Sequence, residues 1–164
     1  MTYFSKDTNT EGIKMPLKGI PFILSPDLLH ALCSMGHGDE IVLADAHFPG
    51  SSICRNGPKE LRADGHGIPE LLAAILKVFP LDSYVPKPVA LMALVLSDKE
   101  KKLEVPVWEK YQLLVDAAAG KKVEMEKVER FEFYERAKRA FAVVQTGECS
   151  KYGNIILKKG CVVE

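Results

Sequence analysis

Apolar positions recur in this chain with two alternating periods, and the changeovers mark its elements. Leu28, Leu29, Leu32 and Met35 follow helical spacing. Before them stands Ser25-Pro26-Asp27: a capping serine, a proline at the first helical position and an acid in the first turn. Gly36 is placed to stop this helix. Glu40 to Ala44 is short, branched and apolar, the pattern of a buried strand. Phe48 to Ser52 reads as loop, Arg55-Asn56-Gly57-Pro58 as a turn, and Glu60 to Ala63 as a further short segment. A second helix is expected from near Pro69, burying Leu71, Leu72, Ile75, Leu76 and Phe79, with Pro80 closing it. Val89 to Leu96 is an apolar run of strand length, and Ser97 to Glu104 a charged loop. Val107 to Ala119 reads as a third helix ended by Gly120.

The last third alternates faster. Val123 to Arg130 resembles a half-exposed strand, although its alternation is imperfect. Phe131 to Arg139 suits a short helix, with Glu132–Arg136 and Glu135–Arg139 in the favourable i,i+4 order. Phe141 to Gln145 and Asn154 to Leu157 are strands, separated by a polar turn over Thr146 to Lys151. Strands alternating with helices predict an α/β layered fold with a mixed sheet. Met1 to Lys14 reads as a polar tail, and residues 15–164 as a single domain without repeats.

Composition narrows the function. The 164 residues are 47% hydrophobic, which suits a globular domain with a substantial core. Lysine plus arginine equals aspartate plus glutamate at 22 each, so no net charge draws the chain to nucleic acid or an anionic membrane. No apolar run approaches the roughly 18–20 residues of a membrane span, and the polar N-terminus lacks the apolar stretch of a secretion signal. Cys33, Cys54, Cys149 and Cys161 are far apart and form no Cys-x-x-Cys pair. They read as reduced thiols, and a cytoplasmic location is expected.

The candidate chemistry gathers around His37, held between Gly36 and Gly38 after the first helix, and Asp45, which ends the following strand. A histidine titrates near neutrality and can move protons without a cofactor. Ligands of open α/β sheets bind beyond the carboxyl ends of strands. The expectation is that imidazole and carboxylate sit at the rims of neighbouring elements, within reach of one small polar ligand. Two plainer readings stand beside this one: a loop histidine bonding backbone at a helix end, and an aspartate capping its own loop. His47 and His66 can be set with His37 and Asp45 as metal ligands, but the spacing lacks the paired clusters of metal sites; His30 reads as structural. Arg130 and Tyr134 bring a forked cation and a phenol to a strand-to-helix junction. Tyr152-Gly153-Asn154 offers a side-chain amide suited to hydroxyls, in a turn that also occurs without function. Phosphate loops, nucleophile turns and dinucleotide fingerprints are missing from the sequence. The ligand expected is a neutral polyhydroxyl compound, with no cofactor and no metal.

Four of these stretches carry a resemblance: Met35-Gly-His-Gly-Asp-Glu-Ile-Val-Leu-Ala-Asp45, Leu61-Arg-Ala-Asp-Gly65, Arg130-Phe-Glu-Phe-Tyr-Glu-Arg-Ala137 and Tyr152-Gly-Asn-Ile-Ile-Leu-Lys-Lys-Gly160. In this order they resemble the fucose mutarotase family, related to D-ribose pyranase, from about Leu17 to Gly160. The charged stretch from Ser97 to Pro106 is nearer the animal members. The polar N-terminal tail is extra, and Leu61 stands where isoleucine is familiar. The resemblance implies the three-layer α/β fold of the ribose pyranase family and an isomerase that interconverts the anomers of L-fucose. It implies His37 as proton donor, Tyr134 as catalytic partner, and Asp45, Asp82, Arg130, Tyr152 and Asn154 as sugar contacts. It also implies a homo-oligomer, commonly a decamer of two pentameric rings, with sites near subunit boundaries. Pyranose–furanose interconversion of D-ribose, or sugar binding without catalysis in a transport accessory, are the alternatives.

Overall fold

Each strand that reads as a continuous apolar run is buried on both faces. The computed structural model describes residues 17–162; the tail expected over Met1 to Lys14 lies outside the described residues. In chain order the elements are α1 (Pro26–Ser34), β1 (Glu40–Ala44), α2 (Gly50–Cys54), β2 (Lys59–Ala63), α3 (Ile68–Leu76), β3 (Val89–Met92), α4 (Leu96–Glu100), α5 (Val107–Ala119), β4 (Met125–Val128), α6 (Arg130–Ala137), β5 (Ala142–Thr146) and β6 (Ile155–Lys158).

The strands form one six-stranded sheet in the order β2-β5-β1-β6-β3-β4. Strands β2, β5 and β1 run parallel, as do β3 and β4, while β6 is antiparallel to both neighbours. Ile41, Leu43, Val144, Leu157 and Leu91 pack with α1, α3 and α5 on one face. Val42, Ala44, Val143, Ile156 and Ala90 pack with Phe48, Ile53, Phe133 and Ala137 from α2, α6 and the loop between β1 and α2 on the other. Alternate residues of one strand therefore serve two cores, and three layers result. This is the mixed, layered α/β fold expected. The imperfect alternation over Val123 to Arg130 has the same cause. Val123 and Met125 face the α5 side, and Val128 faces the α6 side, so the run changes partner along its length.

Helix α1 begins as its sequence dictates: the Ser25 hydroxyl accepts from the Leu28 N–H at 3.2 Å, with Pro26 in the first turn. Its end differs from expectation. Met35 leaves the helix extended and Gly36 is not left-handed; Gly38, at φ +87°, makes the turn. Gly120 ends α5 at φ +66°, as its position predicts. Two segments read as loop contain single-turn helices, α2 and α4, and β3 stops at Met92, well short of Leu96. The i,i+4 pairs expected on α6 are replaced by longer reaches. The Arg136 guanidinium donates to both Glu40 carboxylate oxygens, at 2.9 and 2.7 Å, and to Glu126 at 2.8 Å. Glu135 pairs instead with Lys138.

Candidate functional site

Sheet direction sorts the nominated residues into two groups. The carboxyl ends of β1 to β5 lie at one edge of the sheet, where β6 enters. Asp45, Tyr152, Asn154, Arg130 and Tyr134 are attached to this carboxyl edge. His37 and Asp82 lie at the opposite, amino edge, beside the exit of β6.

At the carboxyl edge β1 ends beside the start of β6, and this antiparallel pairing brings together residues 109 positions apart. The Asp45 N–H donates to Asn154 Oδ1 at 2.7 Å, and Asn154 Nδ2 donates back to Asp45 Oδ2 at 2.9 Å. The His47 N–H donates to Asp45 Oδ1 at 3.0 Å. Asp45 and Asn154 are each 4% exposed. Burial raises the Asp45 carboxyl above the ordinary aspartate range, and these donors only partly offset it. Two residues that the pattern did not flag complete this edge. Gln145 Nε2 donates to the Asp45 carbonyl at 2.5 Å, and the Thr146 hydroxyl to the Ala44 carbonyl at 2.7 Å. Both follow an apolar run, the same signal that singled out Asp45.

Tyr152 adopts φ +58°, a conformation in which the backbone turns sharply into β6. Its hydroxyl donates to Asp98 Oδ2 at 2.6 Å and accepts from the Val95 N–H at 3.4 Å, its carbonyl accepts from Trp108 Nε1 at 2.9 Å, and the next carbonyl, of Gly153, accepts from the Tyr111 hydroxyl at 2.8 Å. Burial first, then the Asp98 carboxylate, raises the Tyr152 hydroxyl, with the Arg130 charge opposing. Arg130 opens α6 with its guanidinium carbon 4.6 Å from the Phe131 ring centre. Its Nε is buried and has no hydrogen-bond partner among the described residues. Tyr134, one turn further, packs edge-on against Phe48 at 5.5 Å and Phe131 at 6.3 Å.

At the amino edge, His37 Nε2 lies 3.1 Å from Asp82 Oδ1, and the same oxygen accepts from the Tyr84 N–H at 3.0 Å. The imidazole is 45% exposed while Asp82 is 4% exposed, so a solvent-facing base rests on a buried carboxylate. The Tyr84 N–H, then the His37 contact, hold the Asp82 carboxyl below the ordinary range against its desolvation. The Tyr84 ring stands 5.4 Å from the imidazole and is itself exposed.

One expectation is thereby corrected. His37 and Asp45 do not converge within one chain, because all of β1 lies between them. Asn154 and Lys159 bracket β6, and its residues at roughly 3.3 Å each set the two edges about 17 Å apart, wider than one pyranose ring. Asp82, implied as a sugar contact, meets the imidazole through Oδ1. The histidines weighed as metal ligands are also apart: His66 Nδ1 is 3.3 Å from Glu70, and His47 uses its backbone on Asp45. Among the described residues no three His, Cys, Asp or Glu side chains converge, and no helix is long and apolar enough to cross a membrane.

The chain thus carries a histidine–carboxylate pair at one edge of a mixed six-stranded sheet and a buried aspartate–asparagine pair at the other. Residues 18–162 match the RbsD / FucU transport protein family, and the chain belongs to it. The fucose mutarotase of Mus musculus is 66% identical over 144 residues, 88% of this chain and 94% of that protein. That of Homo sapiens is 62% identical over 88% of this chain and 93% of that protein. The structure of the fucose mutarotase from Streptococcus pneumoniae in complex with L-fucose aligns with a TM-score of 0.81 at 46% identity, covering 90% of this chain and all, 100%, of that one.

Proposed function

We propose that this protein is an isomerase that interconverts the α and β anomers of L-fucose by opening and reclosing the hemiacetal. The observation that carries the reading is the His37–Asp82 pair, an exposed imidazole resting on a buried, ionised carboxylate, in a chain 66% identical to a fucose mutarotase. With Asp82 ionised, Nε2 carries the proton that Asp82 accepts, and Nδ1 is left as a base. His37 Nδ1 takes the proton of the anomeric hydroxyl, the C1–ring-oxygen bond breaks, and its electron pair stays on the ring oxygen. That oxygen takes a proton from the Tyr134 hydroxyl. The aldehyde rotates about C1–C2, and the same groups act in reverse as the ring closes on its other face. Acid and base catalysis each supply about 10²–10⁴-fold, so together they lower the barrier by roughly 5–11 kcal/mol. The reaction needs only protons and a shaped pocket.

Asp45, Asn154, Tyr152 and the forked guanidinium of Arg130 are suited to hold sugar hydroxyls. Because they lie an entire strand away from His37, the site is composite: the amino edge of one copy faces the carboxyl edge of another. Exposed Tyr84 at one edge and exposed Phe131 at the other offer apolar surface for that contact. Head-to-tail contacts of this kind close into rings, and a decamer of two pentamers is the assembly we assign. The four thiols are unpaired, which fits a cytoplasmic location.

Saturation-transfer NMR on L-fucose tests the function. His37→Asn should lower anomer exchange by about 10²–10⁴-fold and leave fucose affinity nearly unchanged, whereas Asp45→Asn should chiefly weaken binding. Exchange at the wild-type rate in His37→Asn would remove the imidazole from the mechanism. Saturable binding without accelerated exchange in the wild type would make the protein a sugar carrier, and faster exchange of D-ribose would reassign its substrate.

A further inference from the structure

The motif that begins at Tyr152 ends in Lys158-Lys159-Gly160, and nothing in the chemistry above uses this tail. It lies at the amino edge, between the two segments that carry His37 and Asp82. Those segments are 45 residues apart in sequence and make no strand pair with each other, yet they must place Nε2 and Oδ1 at 3.1 Å. Lys159 touches both. Its ammonium donates to the Leu32 carbonyl at 2.7 Å and the Met35 carbonyl at 2.6 Å, closing the end of α1 immediately before the His37 turn. Its carbonyl accepts from the Gly38 N–H at 2.8 Å, and its N–H donates to the Asp39 carbonyl at 2.8 Å. The turn Gly36–Asp39 is therefore held from its preceding helix by a side chain and from its far side by that residue's backbone.

On the other side Lys159 forms an antiparallel bridge with Leu81, and the Gly160 N–H donates to the Pro80 carbonyl at 2.8 Å. Gly160 permits this approach. A Cβ there would meet the Leu81 carbonyl oxygen at 2.5 Å and Asp82 Cα at 2.8 Å, both backbone atoms that cannot swing aside. Lysine gives the tail two carbonyl ligands at the end of a long stem, and glycine lets the Asp82 segment lie against it.

We propose that Lys159 and Gly160 are positioning residues, a mould that fixes the His37 imidazole against Asp82 and so sets which ring nitrogen faces the sugar. This inference rests on His37 being the proton-transfer group. Lys159 does not itself reach the substrate; it acts through the turn and the 80–82 segment.

The test combines kinetics with the imidazole 15N spectrum of His37, assigned by its loss in His37→Asn. In Lys159→Met, which keeps the stem and removes the ammonium, kcat for anomer exchange should fall about 10- to 100-fold, the scale of a misplaced catalytic group. KM should change by less than about threefold, because the sugar-holding residues are elsewhere. The His37 ring signals should move from one fixed tautomer toward the averaged pattern of Asp82→Asn, and Lys159→Arg should restore both rate and spectrum. Gly160→Ala reaches the same dyad from the other side and should give the same spectral change, also serving where Lys159→Met folds poorly. A wild-type rate, or a fixed-tautomer spectrum in both Lys159→Met and Gly160→Ala, overturns the inference. The underlying reading fails separately, through undiminished exchange in His37→Asn.

Discussion

Asp45 and Asp82 are equally buried, at 4% exposure, and their carboxyls move in opposite directions. Asp82 gains the Tyr84 N–H and the imidazole, so its folded pKa is depressed. It then stabilises the fold above the unfolded aspartate value of about 3.9, and that stability is lost as pH falls through the folded value. Desolvation dominates at Asp45, so its folded pKa is raised. Its contribution favours the fold at low pH and is lost as pH rises from about 3.9 through the folded value. Denaturant titrations against pH should resolve this. The stability advantage of wild type over Asp82→Asn should shrink on acidification below about pH 4, while that over Asp45→Asn should grow as pH falls toward 4. Parallel curves for the two variants would contradict these assignments. At this scale the sequence pattern singled out His37, Asp45 and the Tyr152–Asn154 turn as candidates, since each stands beside an element end that the pattern reveals. Asp82 came only through family resemblance. Its stretch, with prolines at 80, 86 and 88, has no period to read. Lys159 and Asp98 look like ordinary solvated charges until their partners, far away in sequence, are known.

Elements end where partners in other elements are satisfied, and local pattern misses this. Arg136 was expected to pair along its own helix; instead it ties α6 to β1 and β4 through Glu40 and Glu126. Arg136 and Glu40 are only 18% and 14% exposed, so Arg136→Met strands a largely buried carboxylate with Lys158 at 3.5 Å as its remaining cation. A loss of about 2–3 kcal/mol in denaturant unfolding is expected, below the 3–5 of a fully buried pair broken on one side; a loss under about 0.5 would mean the pair behaves as surface charge. Tyr111→Phe removes the hydroxyl that satisfies the Gly153 carbonyl inside α5 packing. It should cost about 1–2 kcal/mol and raise the KM for fucose, because the Tyr152–Asn154 turn loosens; unchanged KM would separate that turn from the sugar. Helices α1, α3 and α5 were legible because each repeats its period, and the buried strands because short apolar runs stand between turn signals. The five-residue α2 and α4 were not, since one turn carries no periodic signal. The apolar run through Val89 to Leu96 outlasts β3 because it continues past the sheet edge into α4.

At the scale of the whole molecule the layered sheet separates what the proposed chemistry must unite. The distance was already implicit in the sequence: a strand over Glu40 to Ala44 cannot place its preceding histidine beside its following aspartate. What a single chain's pattern could not reveal is which surfaces of separate copies would meet in the proposed assembly. If the site is shared, two defective chains can repair each other. His37→Asn damages only the amino edge, and Tyr134→Phe removes only a hydroxyl at the carboxyl edge while leaving its ring on Phe48 and Phe131. The most direct test is anomer exchange of L-fucose by an equimolar mixture of the two variants, refolded together. Half of the amino edges and half of the carboxyl edges are intact, so about a quarter of the sites in a symmetric assembly should be whole. Recovery to about one quarter of the wild-type rate is the predicted result. Activity no higher than the mean of the two separate variants would contradict a site built from two copies.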